Sequence, residues 1–196
     1  MPQTTRAQQR ERTRRTLLDV SRELFASQGY AAVGLAEIVE AADVTKGALY
    51  HHFASKAALF RAVLTEVQEE VGERVAAAAE ERKDPWERLA AGCQEFITAA
   101  THPDIQRIML IDGPAVLGWH EWRAMDESSS ARHLAEQLGD LVERGVIAPQ
   151  PVIPLAHLLS GAMNEAALWL AASGSADDLA DTRAALSRML GALRTH

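Results

Sequence analysis

Apolar residues return along this chain at intervals of three and four almost throughout, and nowhere do β-branched residues alternate with polar ones over a sustained run. That pattern predicts an all-α fold of about nine helices. Leu17, Leu18, Val20, Ser21, Leu24 and Phe25 share one face of a first helix, with arginines on the other, and Gly29 stands where its C′ residue belongs. The arginine-rich start of that helix is expected to fray. Leu35, Ile38, Val39 and Ala42 make the apolar face of a short second helix, and Lys46 to His52 form a third that turns Leu49 and Phe53 inward. Ser55 is placed as an N-cap, and Leu59, Phe60, Val63, Leu64, Val67 and Val71 mark a long helix over about residues 55–82.

A second unit is predicted to open at Asp84-Pro85-Trp86-Glu87, where an acidic cap, a proline at the first helical position and a further acid coincide. Trp86, Leu89, Cys93, Phe96 and Ile97 form the buried stripe of its first helix, and His102-Pro103-Asp104 restarts the chain into Ile105 to Ile111. Trp119 through Arg144 reads as one helix ending at Gly145, with a polar stretch from Asp126 to Ser130 that is a candidate break. Two more helices follow, Pro154 to about Ser173, stopped by Gly174, and Asp177 to about Arg194. The expected division is therefore a three-helix head over residues 1–56, a linking helix, and a larger unit over 84–196.

The 196 residues carry a formal net charge of −7, which at first sight argues against a polyanionic partner. The charge is unevenly shared: residues 1–56 hold 8 Lys/Arg and 6 Asp/Glu, whereas the remainder holds 12 and 21. Five arginines face one glutamate within residues 1–15, placed to reach phosphate or a minor groove. The one cysteine, Cys93, excludes an internal disulfide and a cysteine-built metal cluster and agrees with a reducing compartment. No apolar run suits a membrane span or a signal peptide, so a cytoplasmic location is expected.

The chemistry concentrates between Leu35 and Phe60, LAEIVEAADVTKGALYHHFASKAALF. A helix that enters the major groove of DNA must present small residues where its backbone comes close, with polar side chains around them that reach phosphates. Thr45, Lys46, Gly47 and Ala48 supply a hydroxyl, a cation and two residues with little or no side chain. Tyr50, His51 and His52 follow on the groove side. Lys56, opening the long helix, is placed to clamp a neighbouring phosphate.

Val44-Thr45-Lys46-Gly47-Ala48-Leu49-Tyr50-His51-His52-Phe53-Ala54-Ser55-Lys56-Ala57-Ala58-Leu59-Phe60 resembles the signature of the tetracycline-repressor (TetR) family of bacterial regulators. Leu24-Phe25 and Gly29-Tyr30 occupy the places of that family's upstream element. The resemblance covers about residues 10–65. It implies a homodimeric helix-turn-helix transcription factor, usually a repressor, that leaves a palindromic double-stranded DNA operator when a small molecule binds the C-terminal domain. It also implies DNA contacts at Thr45, Lys46, Gly47, Ala48, Tyr50, His51 and Lys56. The chain departs from the pattern at Gly34, where threonine is common, and at Asp43, where glycine is; Asp enters the left-handed region more readily than most residues.

The resemblance further implies dimerisation through the last two helices, whose stripes are Leu155, Leu158, Leu159, Ala162, Met163, Ala166 and Leu170, and Leu179, Leu186, Leu190 and Leu193. An effector cavity between the middle helices would take an apolar or aromatic molecule. Phe96, Met109, Trp119, Trp122 and Trp169 are its candidate walls. His120, Asp126, His133, His157 and Asn164 are its candidate polar contacts. No cofactor, metal or catalytic constellation is legible, and Asp112 with His120 would make an incomplete metal pair. A helical small-molecule sensor or partner-binding module without DNA binding is the alternative reading, for which Gly34 and Asp43 are the hints.

Overall fold

A computed structural model describes residues 5–127, 130–173 and 175–195. Eleven α-helices and one π-helical segment make up these residues, with no strand among them beyond an isolated bridge between Ile147 and Arg194. The head consists of α1 (Arg6–Gln28), α2 (Leu35–Ala41) and α3 (Lys46–His52). Leu17, Leu18, Phe25, Ile38, Leu49 and Phe53 close its core against Leu59 and Phe60 at the start of α4 (Lys56–Glu80).

The expected fraying of α1 is not what the structure has. Thr5 and Gln8 cap the helix reciprocally, the Thr5 hydroxyl accepting from the Gln8 N–H and the Gln8 side chain from the Thr5 N–H, so the first turn is held. Farther along, Arg15 pairs with Glu66 and Arg22 with Glu70 at 2.6 Å, fixing α1 along α4. Gly29 ends α1 at φ +85°, as its place in the sequence suggests. Asp43 takes φ +50° in the turn between α2 and α3. Gly34 caps α2 without a side-chain hydrogen bond.

The Asp84 carboxylate accepts from the Glu87 N–H at 3.0 Å and so caps α5 (Pro85–Ala100), the first helix of the segment referred to below as the second unit. Beyond it the expected single helix into Ile111 is subdivided. α6 (Pro103–Gln106) leads into a π-helical segment, Arg107–Asp112, and then α7 (Gly113–Leu117). Pro114 has no N–H to continue an α-type ladder, and just before it the Gly113 N–H donates to the Ile108 carbonyl, five residues back. α8 (Trp119–Glu127) and α9 (Ser130–Glu143) cover the stretch expected as one helix; the candidate break at 126–130 includes residues 128 and 129, which lie outside the described residues. α10 (Val152–Ser173) and α11 (Ala176–Gly191) complete the fold, and Gly174, expected to stop α10, also lies outside the described residues.

One hydrophobic core runs from the head through α4 into the second unit, where α5, α9 and α10 pack around Val71, Leu89, Phe96, Leu138 and Met163. α11 is tied to α5 by Gln94, whose amide donates to the Arg183 carbonyl and to Ser187 Oγ, both at 2.9 Å. The Arg183 guanidinium donates back to Gln94 Oε1.

Candidate nucleic-acid interface and ligand cavities

α3 starts with the Thr45 hydroxyl accepting from the Ala48 N–H at 3.1 Å, which fixes the first turn and leaves the hydroxyl proton free to donate. Leu49 and Phe53 are buried, so the opposite face carries Thr45, Lys46, Gly47, Tyr50 and His51 into solvent, with Ala48 half-buried beside them. The Lys46 ammonium lies 6.0 Å from the Tyr50 ring centre. Gly47 has an ordinary helical backbone, and a Cβ added there would meet only Thr45 Oγ1, at 3.9 Å.

His52 stands apart from that outward row. It is half-buried beside Arg10 and Arg14 of α1, and Arg6, Arg10, Arg14 and His52 line one shallow cleft. Burial lowers its pKa, and the charges of His51, Arg10 and Arg14 lower it further against Glu11. Arg14 also lies over the Phe53 ring.

Lys56, expected as a phosphate clamp, opens α4 and is half-buried. Its ammonium donates to the Tyr30 carbonyl and sits 4.1 Å from the centre of the Tyr30 ring, where burial lowers its pKa and the Asp112 carboxylate opposes that shift. Tyr30 in turn donates its backbone N–H to Asp112 Oδ2 at 2.8 Å. Arg107, from the same π-helical segment, donates to the Gln28 carbonyl at 3.2 Å. The guanidinium lies so close to Gly29 that a Cβ there would stand 2.2 Å from its terminal nitrogen. Asp112 is thus a junction residue, and His120 is exposed. No group of three metal-ligating side chains occurs among the described residues.

The candidate cavity walls do not converge on one site. Phe96 lines a slot between α4, α5, α9 and α10 with room, about 20 Å³, for little more than one water molecule. Trp119, Trp122 and Asn164 come together in a groove of about 460 Å³ between the π-helical segment, α8 and α10. Met109 is buried beneath that groove, its carbonyl accepting from Trp122 Nε1 at 2.7 Å. Trp169 is 51% exposed on the outer side of α10. Asp126 and His133 were candidate polar contacts: Asp126 pairs with Arg123 at 2.8 Å and His133 lies in a separate cleft beside α4. Cys93 is buried and its thiol is pushed up to about 12, so it stays protonated at neutral pH.

The expected dimer stripe divides in two. Leu159, Met163, Leu186 and Leu190 are buried within the subunit, and Leu155, Ala166, Leu170, Leu179 and Leu193 are half-buried against its core. Leu158 and Ala162 face solvent, Leu158 with 72% of its surface exposed, and Trp169 on α10 and Met189 on α11 are exposed as well.

The sequence pattern of the bacterial regulatory proteins, tetR family, matches residues 17–63, and that of the tetracyclin repressor-like C-terminal domain matches residues 86–193, more than half the chain. The chain belongs to the tetR family. A TetR-family transcriptional regulator from Pectobacterium atrosepticum is 36% identical, superposes with a TM-score of 0.78, and is matched over 98% of each chain. The A-factor receptor protein of Streptomyces griseus is 35% identical over 141 residues, 70% of this chain. The match spans 47% of that receptor, so this chain aligns with about half the length of that curated relative. RolR in complex with resorcinol, at 24% identity and a TM-score of 0.72 over 95% of this chain and 91% of its own, shares the fold.

Within this TetR-family chain, sequence reasoning missed the junction of Arg107 and Asp112 with Gln28 and Tyr30. Its signals are faint: a proline two residues after an acid, and a glycine at the end of α1, neither of which names a partner 79 or 82 residues away.

Proposed function

We propose that this TetR-family chain is a DNA-binding transcriptional regulator, a repressor released from a palindromic operator when a small molecule binds its second unit. Residues 1–56 act as the DNA head, α4 as the link, and residues 84–196 as the ligand and dimer unit. Thr45, Lys46, Tyr50 and His51 contact the operator, with Gly47 and Ala48 closest to the bases. His52, with Arg10 and Arg14, holds a flanking phosphate. Lys56, at the start of α4, adds a phosphate contact.

The observation that carries this reading is Gly47. Glycine inside a helix is destabilising by about 1 kcal/mol relative to alanine, and nothing in the subunit demands it here, since φ is negative and no neighbour crowds the position. A glycine that the fold does not need, on an exposed face between a lysine and a tyrosine, fits close approach to a body outside the subunit. The thymine methyl groups and phosphates of a major groove are the partner that suits such a face.

Two subunits associate through Leu158, Ala162, Trp169 and Met189, which are exposed on the last two helices. A second copy would place two α3 helices about one turn of DNA, roughly 34–36 Å, apart. Gel retardation with DNA flanking the gene, at low salt and with unbiased sequence selection alongside, tests this. A recovered inverted repeat supports the reading, and no enriched sequence contradicts it.

A further inference from the structure

We propose that Tyr30 is a positioning residue for DNA binding: its carbonyl and ring hold the Lys56 ammonium ready for an operator phosphate, and Asp112 of the π-helical segment holds Tyr30 in place. The inference rests on the DNA-binding reading above and adds the residues that set how well Lys56 serves it.

A lysine that reaches a phosphate from a free position must first order a long, flexible stem, which offsets much of what one ammonium contact gains. Lys56 is not in a free position. Its ammonium donates to the Tyr30 carbonyl and stands 4.1 Å from the centre of the Tyr30 ring. The ring face attracts the cation, and of the three donors an ammonium carries the carbonyl takes one. The residue is half-buried, so part of its surface stays open. The side chain is therefore ordered before DNA arrives, with donors left to give to it. Ordering in advance raises affinity because the binding step no longer bears that cost.

Tyr30 owes its own place to two supports. Its ring centre lies 5.7 Å from that of Phe25 and 5.0 Å from that of Phe60, within the aromatic cluster of the head. Its backbone N–H donates to Asp112 Oδ2 at 2.8 Å. The residue before it is Gly29, at φ +85°, which gives the loop little stiffness of its own. Asp112 supplies from the second unit the restraint that the local backbone lacks.

The charges agree with this arrangement. Burial disfavours the ammonium form of Lys56, and the negative charge of Asp112 acts against that. Among the described residues Lys56 makes no direct ion pair with a carboxylate, so Asp112 favours the cation while its remaining donors stay available for a phosphate.

The test is a double-mutant cycle on the full chain, read as affinity for the operator that sequence selection recovers, with urea unfolding of every variant alongside. Lys56→Gln should weaken binding several-fold and lower the salt dependence by about one ion per subunit. Tyr30→Leu, which removes the ring, should weaken binding about three- to tenfold with the salt dependence unchanged, and Tyr30→Phe, which keeps ring and carbonyl, should bind like the parent. In the Lys56→Gln background the loss from Tyr30→Leu should shrink below about twofold, a coupling that a merely structural role of Tyr30 would not produce. Should Tyr30→Leu fail to fold, Asp112→Ala with and without Lys56→Gln carries the same cycle, with the same loss of effect expected. Equal losses in both backgrounds, or full affinity in Lys56→Gln, would overturn the proposal while leaving the regulator reading standing. A parent protein that selects no DNA sequence removes the regulator reading itself.

Discussion

The Asp112 carboxylate accepts a hydrogen bond at 2.8 Å from the backbone N–H of Tyr30, 82 residues earlier in the chain. The loop that follows α1 is thereby held by the π-helical segment of the second unit, with Lys56 beneath it on the Tyr30 carbonyl and ring.

Asp112→Ala leaves the Tyr30 N–H without its acceptor and removes the negative charge that acts on Lys56. A part-buried donor left unpaired costs about 1–3 kcal/mol. Asp112→Asn keeps an acceptor and should lose much less. Urea unfolding of the two variants separates the hydrogen bond from the charge, and equal losses would show that the charge alone matters.

Gly113→Ala tests the packing under the groove. Alanine is the better helix former by about 1 kcal/mol, yet a Cβ at Gly113 would stand 2.8 Å from Trp122 Cδ1, and Trp122 is fixed by its bond to Met109. Overpacking should win, with a net loss of about 1–3 kcal/mol and a shifted tryptophan emission. A gain in stability would mean that Trp122 moves freely.

The pH dependence at His52 has opposite signs with and without DNA. Burial and the cations around it lower its pKa from the ordinary 6.5, so the unfolded chain binds the proton more readily than the folded one. The contribution to stability is complete above pH 6.5 and is lost as pH falls through 6.5 toward the lowered value. A phosphate at the cleft of Arg10, Arg14 and His52 favours the imidazolium, so operator affinity should rise over the same fall in pH. His52→Gln should flatten both profiles, measured by thermal unfolding and by retardation between pH 5.5 and 7.5.

Leu158 and Leu159 are neighbours with opposite surroundings. Leu159→Ala opens the subunit core and should cost about 2–5 kcal/mol. Leu158→Glu alters a side chain that is 72% exposed and should leave subunit folding intact while shifting sedimentation toward the monomer. A Leu158→Glu variant that remains dimeric would move the interface elsewhere.

The contrast at these two leucines also marks how far sequence reaches. Helical periodicity finds α1 to α5, α10 and α11, and the caps at Thr45, Ser55 and Asp84 stand where local chemistry puts them. The outward row of α3 is legible because Leu49 and Phe53 must point the other way. A stripe of leucines on α10 has two apolar sides, however, and periodicity alone does not tell the side facing α5 and α9 from the side left open. Lys56 fits a DNA contact by position, and its partners within the subunit, the Tyr30 carbonyl and ring and the Asp112 charge, are distant in sequence and beyond the reach of periodicity. The groove lined by Trp119, Trp122 and Asn164 exists only once α8 and α10 are packed, so no local pattern in the sequence marks it.

The central claim, that the exposed face of α3 enters a DNA groove, is tested most directly at Gly47 by measuring folding stability and operator affinity together for Gly47→Ala and Gly47→Leu. A Cβ at this position meets only Thr45 Oγ1, at an ordinary 3.9 Å, and the position is exposed, so both variants should fold, with alanine gaining up to about 1 kcal/mol in urea unfolding. Operator affinity should fall for alanine and be lost for leucine, with Lys46→Ala lowering the salt dependence of binding by about one ion. Full operator affinity in a folded Gly47→Leu variant would contradict the account.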